Sequence, residues 1–192
     1  LPPGTRLILN VHYHAAATPE VDTGTGLALR WKTTPPRWSS LFQLIGAPGL
    51  GTSLNGPLMI PAGAKGHVEE YVWTVSNGGQ TIPDLVDIRL WAALNHMHKV
   101  GVDMRVSIED RDTGVETCLL QTPRWDYNWQ RSYAYDTPIT SAHRVRGGDK
   151  IRVRCTYDNS LDNPGVRDIL TEVGLDFPVD ITLGEGTLNE MC

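Results

Sequence analysis

His96 and His98 lie two residues apart in the run Asn95-His96-Met97-His98, and Met191 and Cys192 are the last two residues. In an extended strand, residues i and i+2 share a face, so both imidazoles would point one way and Met97 the other. Met97 is therefore read as a packing residue. Two neutral imidazoles and one thioether form a donor set that suits Cu(I) and suits zinc, calcium or magnesium poorly. Such a set leaves a position open for a small molecule such as O2. Taken alone, a His-x-His pair is a weak signal, and two polar residues facing solvent at a strand end is the plainer reading. Taken alone, Met191 fits a methionine with no ligand role.

Met191 follows a Gly-rich polar stretch, residues 183–190, which cannot fix a side chain by itself. A disulfide from Cys192 to Cys155, on a well-defined strand, would do so. Closing that loop would stabilise the fold by roughly 4 kcal/mol on the chain-entropy argument, and it requires an oxidising compartment. Three cysteines permit at most one internal bridge. Buried thiols are the alternative for all three, and the expected state of Cys118.

The elements that must position these residues read as β. The 192 residues, 40% hydrophobic and 20% charged, suffice for one large globular domain. A net charge of −5 with no basic stripe argues against nucleic acid as a partner. No run approaches the roughly 18 apolar residues that would span a bilayer. The chain opens on Leu1-Pro2-Pro3-Gly4, without an initiator Met or a signal peptide, and stops at Cys192, so it is expected to be a piece of a longer protein.

Strands are expected over residues 6–14, 26–33, 66–76, 86–98, 102–109, 116–121 and 150–157, with turns at Asn77-Gly78-Gly79, Gly101, Thr113-Gly114 and Arg146-Gly147-Gly148-Asp149. Residues 86–98 and 102–109 would form a hairpin bending just after the histidines. Over 150–157, Ile151, Val153, Cys155 and Tyr157 fall on one face, with Lys150, Arg152 and Arg154 on the other. Residues 125–130, rich in Trp and Tyr, are expected to cap one end of the core, their rings buried. Residues 159–168 read as a polar loop, and 168–179 leave helix and strand open. Short, turn-punctuated strands without internal repeats predict an all-β fold, an antiparallel β-sandwich or jelly roll. Any boundary inside the chain would fall near residues 46–55.

These stretches together resemble a known family. Asn10-Val11-His12-Tyr13, His96-Met97-His98-Lys99-Val100-Gly101, Trp125 to Gln130, Gly148-Asp149, Cys155 to Ser160 and Gly184 to Cys192 are similar, in order and spacing, to motifs in the C-terminal half of the ascorbate-dependent copper monooxygenases. This is the family of dopamine β-monooxygenase and peptidylglycine α-hydroxylating monooxygenase, and the chain looks most like bacterial members resembling the former. The resemblance covers residues 1–192 nearly end to end. It implies that His96, His98 and Met191 hold the catalytic copper, that His12 belongs to a second, electron-transfer copper, and that Cys155 and Cys192 are disulfide-bonded. It implies two coppers in the full-length enzyme, of which one is fully ligated here. The implied reaction hydroxylates an activated C–H bond of a small organic substrate with O2, using electrons from ascorbate, one of them relayed by the other copper. An N-terminal copper domain of the same protein would be the partner, and the setting secreted or periplasmic. An isolated C-terminal piece would turn over poorly.

The chain departs from the family in one informative place. Peptide-processing members carry an arginine two residues before the first histidine, where it holds the substrate carboxylate; here that residue is Leu94. Leu94 shares a face with His96 and His98, which gives the substrate side an apolar character. A second family disulfide has no candidate. His14, His67 and His143 are read as structural or surface residues. Two other functions fit parts of the sequence. One is a non-catalytic β-sandwich that binds copper or a ligand through Trp125, Tyr127 and Trp129. The other is a zinc hydrolase using His96, His98 and Glu190.

Overall fold

The structure, a computed structural model, describes residues 4–9, 11, 13, 18–30 and 32–192. The chain divides into two compact units, Leu1–Leu41 and Phe42–Cys192, so the division falls ahead of residues 46–55. In the first unit no described residue lies in a strand, which corrects the strands expected over 6–14 and 26–33. Leu7, Ile8 and Leu29 are exposed there, and a strand without a paired neighbour and a covered face does not persist. His12 and His14 lie outside the described residues.

The second unit is all-β with one helix. Its strands are β1 (Thr52–Ser53), β2 (Met59–Ile60), β3 (Lys65–Thr74), β4 (Ile88–Arg89), β5 (Ala92–Leu94), β6 (Gly101–Glu109), β7 (Glu116–Thr122), β8 (Ser132–Ala134), β9 (Arg144–Val145), β10 (Lys150–Asp158), β11 (Ile181–Leu183) and β12 (Asn189–Glu190), and helix α1 spans Pro164–Val173. The main sheet is antiparallel, in the order β1-β3-β10-β6-β7. A smaller sheet runs β12-β11-β2, with β11 and β12 parallel. Two short pairs, β4 with β9 and β5 with β8, complete the set.

β10 is central because its sequence alternates cleanly. Ile151, Val153, Cys155 and Tyr157 are all buried, and the charged residues between them are not. The expected long strand over 86–98 is instead two short ones, and it makes no hairpin with β6. Both edges of β6 are already occupied, by β10 and β7, so β4 and β5 find β9 and β8 instead.

Helix α1 begins in what reads as a polar loop and runs into the stretch 168–179, which leaves helix and strand open in the sequence. Asn163 caps it, its Oδ1 accepting Gly165 N–H at 2.9 Å, with Pro164 in the first turn and Gly174 closing it in the left-handed region. Val166, Ile169 and Leu170 pack into the same core cluster as Tyr157, Met104 and Met97. Burying each of those helix side chains is worth about 2 kcal/mol. The helix start also braces the turn after His98. Asn163 Nδ2 lies 3.4 Å from both the Lys99 and the Val100 carbonyls, and a Cβ on Gly165 would lie 2.2 Å from the Lys99 carbonyl oxygen.

Two further expectations are corrected. Cys118 is free and exposed: the β6–β7 register shifts between Val106 and Ser107, and Leu119 takes the buried position beside it. Of the aromatic run, Trp125 packs against the core, while Tyr127 and Trp129 stand 40% and 57% exposed. Among the described residues no helix is long and apolar enough to cross a membrane.

Candidate metal centre

The histidines leave β5 on an extended stretch whose alternation is enforced from its buried side. Asn95, 2% exposed, donates from its amide to the Met104 carbonyl at 3.0 Å and to Thr122 Oγ1 at 2.9 Å. Met97 is fully buried among Val100, Met104 and Val166. With residues 95 and 97 anchored inward, His96 and His98 turn the other way and stay half-buried. Their ring centroids are 5.4 Å apart, with the planes at 90°. Leu94, on their face by alternation, is 41% exposed.

Each imidazole is held through Nδ1. His98 Nδ1 lies 3.0 Å from the Asn189 carbonyl. A carbonyl only accepts, so Nδ1 carries the proton. His96 Nδ1 lies 2.5 Å from Gln130 Oε1. Gln130 Nε2 donates to the Tyr127 carbonyl at 2.9 Å, which orients the amide with its oxygen toward His96. In each neutral ring the lone pair therefore lies on Nε2, the tautomer a metal ligand needs. Burial holds His98 below its ordinary pKa and so favours the neutral ring; His96 adds to this, while the Asn189 carbonyl opposes it.

The loop over 125–130 frames this pair. Trp125 Nε1 donates to the His98 carbonyl at 2.9 Å, and the Tyr127 ring meets His98 edge-on at 6.1 Å. From the other side comes β12. Glu190 is fully buried, and its Oε1 accepts the backbone N–H of His98 as well as that of Met191, the latter at 2.9 Å. Glu190 Oε2 is buried and unpartnered. Burial raises its carboxyl to about 7, against the opposing pull of the backbone amides of His98, Met191, Val100 and Gly101.

Met191 is half-buried, and its backbone is fixed on both sides. The Tyr157 hydroxyl donates to its carbonyl at 2.7 Å. The next residue, Cys192, is bridged to Cys155, with Cα atoms 5.8 Å apart. Cys192 also exchanges backbone hydrogen bonds with Ala47, at 3.0 and 2.5 Å. Gly46 is obligatory there: its φ is +119°, and a Cβ would sit 1.8 Å from the Cys192 carbonyl oxygen.

His96, His98, Met191, Cys155 and Cys192 thus fall in one region of the second unit. Among the described residues no group of three or more His, Cys, Asp or Glu is placed to hold a metal ion. Glu190 belongs to no such group, and its Oε1 is committed to two backbone amides. Two imidazoles thus share this place with the backbone of Met191, which Glu190 Oε1 joins to the backbone of His98. His67 pairs with Glu69 at 2.7 Å, and His143 is exposed.

Sequence reasoning missed Gln130 and the Asn189 carbonyl as the groups that hold the two imidazoles, and Glu190 and Trp125 as those that hold the His98 backbone. No family model and no curated protein matches the chain.

Proposed function

We propose that this chain is the catalytic copper domain of an ascorbate-dependent monooxygenase, built on a β-sandwich, that hydroxylates an activated C–H bond with O2. The observation that carries the reading is the pair of Nδ1 hydrogen bonds, from His96 to Gln130 and from His98 to Asn189, which leave both Nε2 atoms free beside the fixed Met191 backbone. Copper, when bound, supplies one-electron chemistry with O2 and with electrons from ascorbate.

The chain's own residues do the rest. His96 and His98 offer neutral nitrogens whose orientation is set by hydrogen bonds. Met191 offers a sulfur that favours the reduced ion. Leu94 and Tyr127 give the approach an apolar character, suited to a small organic substrate without a carboxylate to anchor. A second copper domain N-terminal to this one, with His12 among its ligands, would deliver the other electron. The Cys155–Cys192 bridge supports a secreted or periplasmic setting.

Copper-loaded protein with ascorbate is expected to consume O2, and zinc-loaded protein is not. The uptake should be slow in the chain alone and rise with the N-terminal copper domain; equal, negligible uptake with both metals in that longer protein would contradict the reading.

The exposure of Tyr127 and Trp129 favours a second reading, a non-catalytic β-sandwich module that binds copper or a ligand. Such a module binds the metal without consuming O2.

A further inference from the structure

Resting on the copper reading, we propose that Glu190 is a positioning residue: its Oε1 takes the N–H of His98 and the N–H of Met191 together, and so fixes an imidazole donor relative to a thioether donor. The two residues it joins come from distant parts of the chain. His98 follows β5 and Met191 follows β12, and Glu190 reaches His98 across 92 positions. Other bonds hold each segment to the scaffold: Trp125 grips the His98 carbonyl, Tyr157 grips the Met191 carbonyl, and the disulfide holds Cys192. Glu190 joins the segments to each other by their N–H groups.

The choice of side chain supports this. A buried carboxylate is costly unless its oxygens are engaged, and here one oxygen is engaged twice while Oε2 has no partner. An apolar residue would fill the same space but would leave the N–H groups of His98 and Met191 without their acceptor. What the acid adds is one acceptor shared by two amides, with a side chain long enough to reach both. Glutamine keeps that acceptor, whereas alanine removes it and aspartate withdraws it by one methylene.

The test compares the parent with E190Q, E190A and E190D, each checked for the intact Cys155–Cys192 bridge and a parental circular dichroism spectrum. In metal-free protein, nuclear magnetic resonance should show the His98 and Met191 amide protons shifted upfield and exchanging at least tenfold faster in E190A, and near-parental in E190Q. After loading with Cu(I), X-ray absorption should show the sulfur shell lost in E190A and kept in E190Q, with affinity for Cu(I) lowered about 10- to 100-fold only in E190A. If E190A does not fold, E190D takes its place with the same expectation. A folded E190A or E190D with parental amide signals and an intact sulfur shell overturns the proposal, as does an E190Q that behaves like E190A. If the parent itself shows no sulfur shell, the copper reading fails, and the metal-free amide signals still decide whether Glu190 links the two segments.

Discussion

The carbonyl of Asn189 accepts a hydrogen bond from His98 Nδ1 at 3.0 Å, joining residues 91 positions apart. That one bond fixes the tautomer of His98 and also docks the end of the chain onto the histidine segment. Gln130 plays the corresponding part for His96 with a side chain in place of a backbone carbonyl. The difference is useful, because a side chain can be removed by substitution.

Gln130→Ala should therefore weaken Cu(I) binding about 10- to 100-fold, the usual range for losing a ligand's orienting partner. Stability should change by only about 1 kcal/mol, the net worth of an ordinary hydrogen bond. Competition with a chromophoric Cu(I) chelator measures the first, and urea unfolding of the metal-free chain the second.

The disulfide closes a loop with a sequence separation of 37. On the chain-entropy argument, replacing both Cys155 and Cys192 by Ala should cost roughly 4 kcal/mol. The Met191 backbone should lose protection with it, which hydrogen exchange would detect. A double variant with parental urea midpoint would remove the staple from the account.

The start of α1 braces the turn after His98. Asn163→Ala removes the cap and should cost about 1 kcal/mol. Gly165→Ala should cost more, because its Cβ would meet the Lys99 carbonyl oxygen at 2.2 Å. Chemical unfolding of the two variants side by side gives the order directly.

Below about pH 4 the loss of stability should come from surface carboxylates. The Arg111 side chain holds Asp84 below its ordinary range, and the Thr113 backbone N–H does the same for Asp110, which also pairs with Arg146. A depressed folded pKa stabilises above the unfolded value of 3.8 and loses that contribution as pH falls through the folded value. The unfolding midpoint should therefore drop below about pH 4, less steeply in Asp110→Asn. The difference should shrink at high salt, because these side chains are in solvent.

What could be read in the sequence and what could not divides along physical lines. The Ile151 to Tyr157 alternation, the β3, β6 and β7 spans and the inward turn of Met97 follow from period-two patterning, which is local. The split of 86–98 into β4 and β5 was not legible, because it depends on which edges of β6 are free. Helix α1 left a local signal in Asn163-Pro164-Gly165, an N-cap followed by proline, which also spells a turn. Gln130 and Glu190 left none. Their roles arise only when loops distant in sequence meet, and a polar residue beside an aromatic run or a methionine carries no mark of that meeting.

The most direct measurement is X-ray absorption at the copper edge on the Cu(I)-loaded chain beside Met191→Ile. The account predicts one sulfur and two imidazoles in the parent, and two imidazoles without sulfur in the variant. A parent with no sulfur shell, or a shell that survives the substitution, would contradict it.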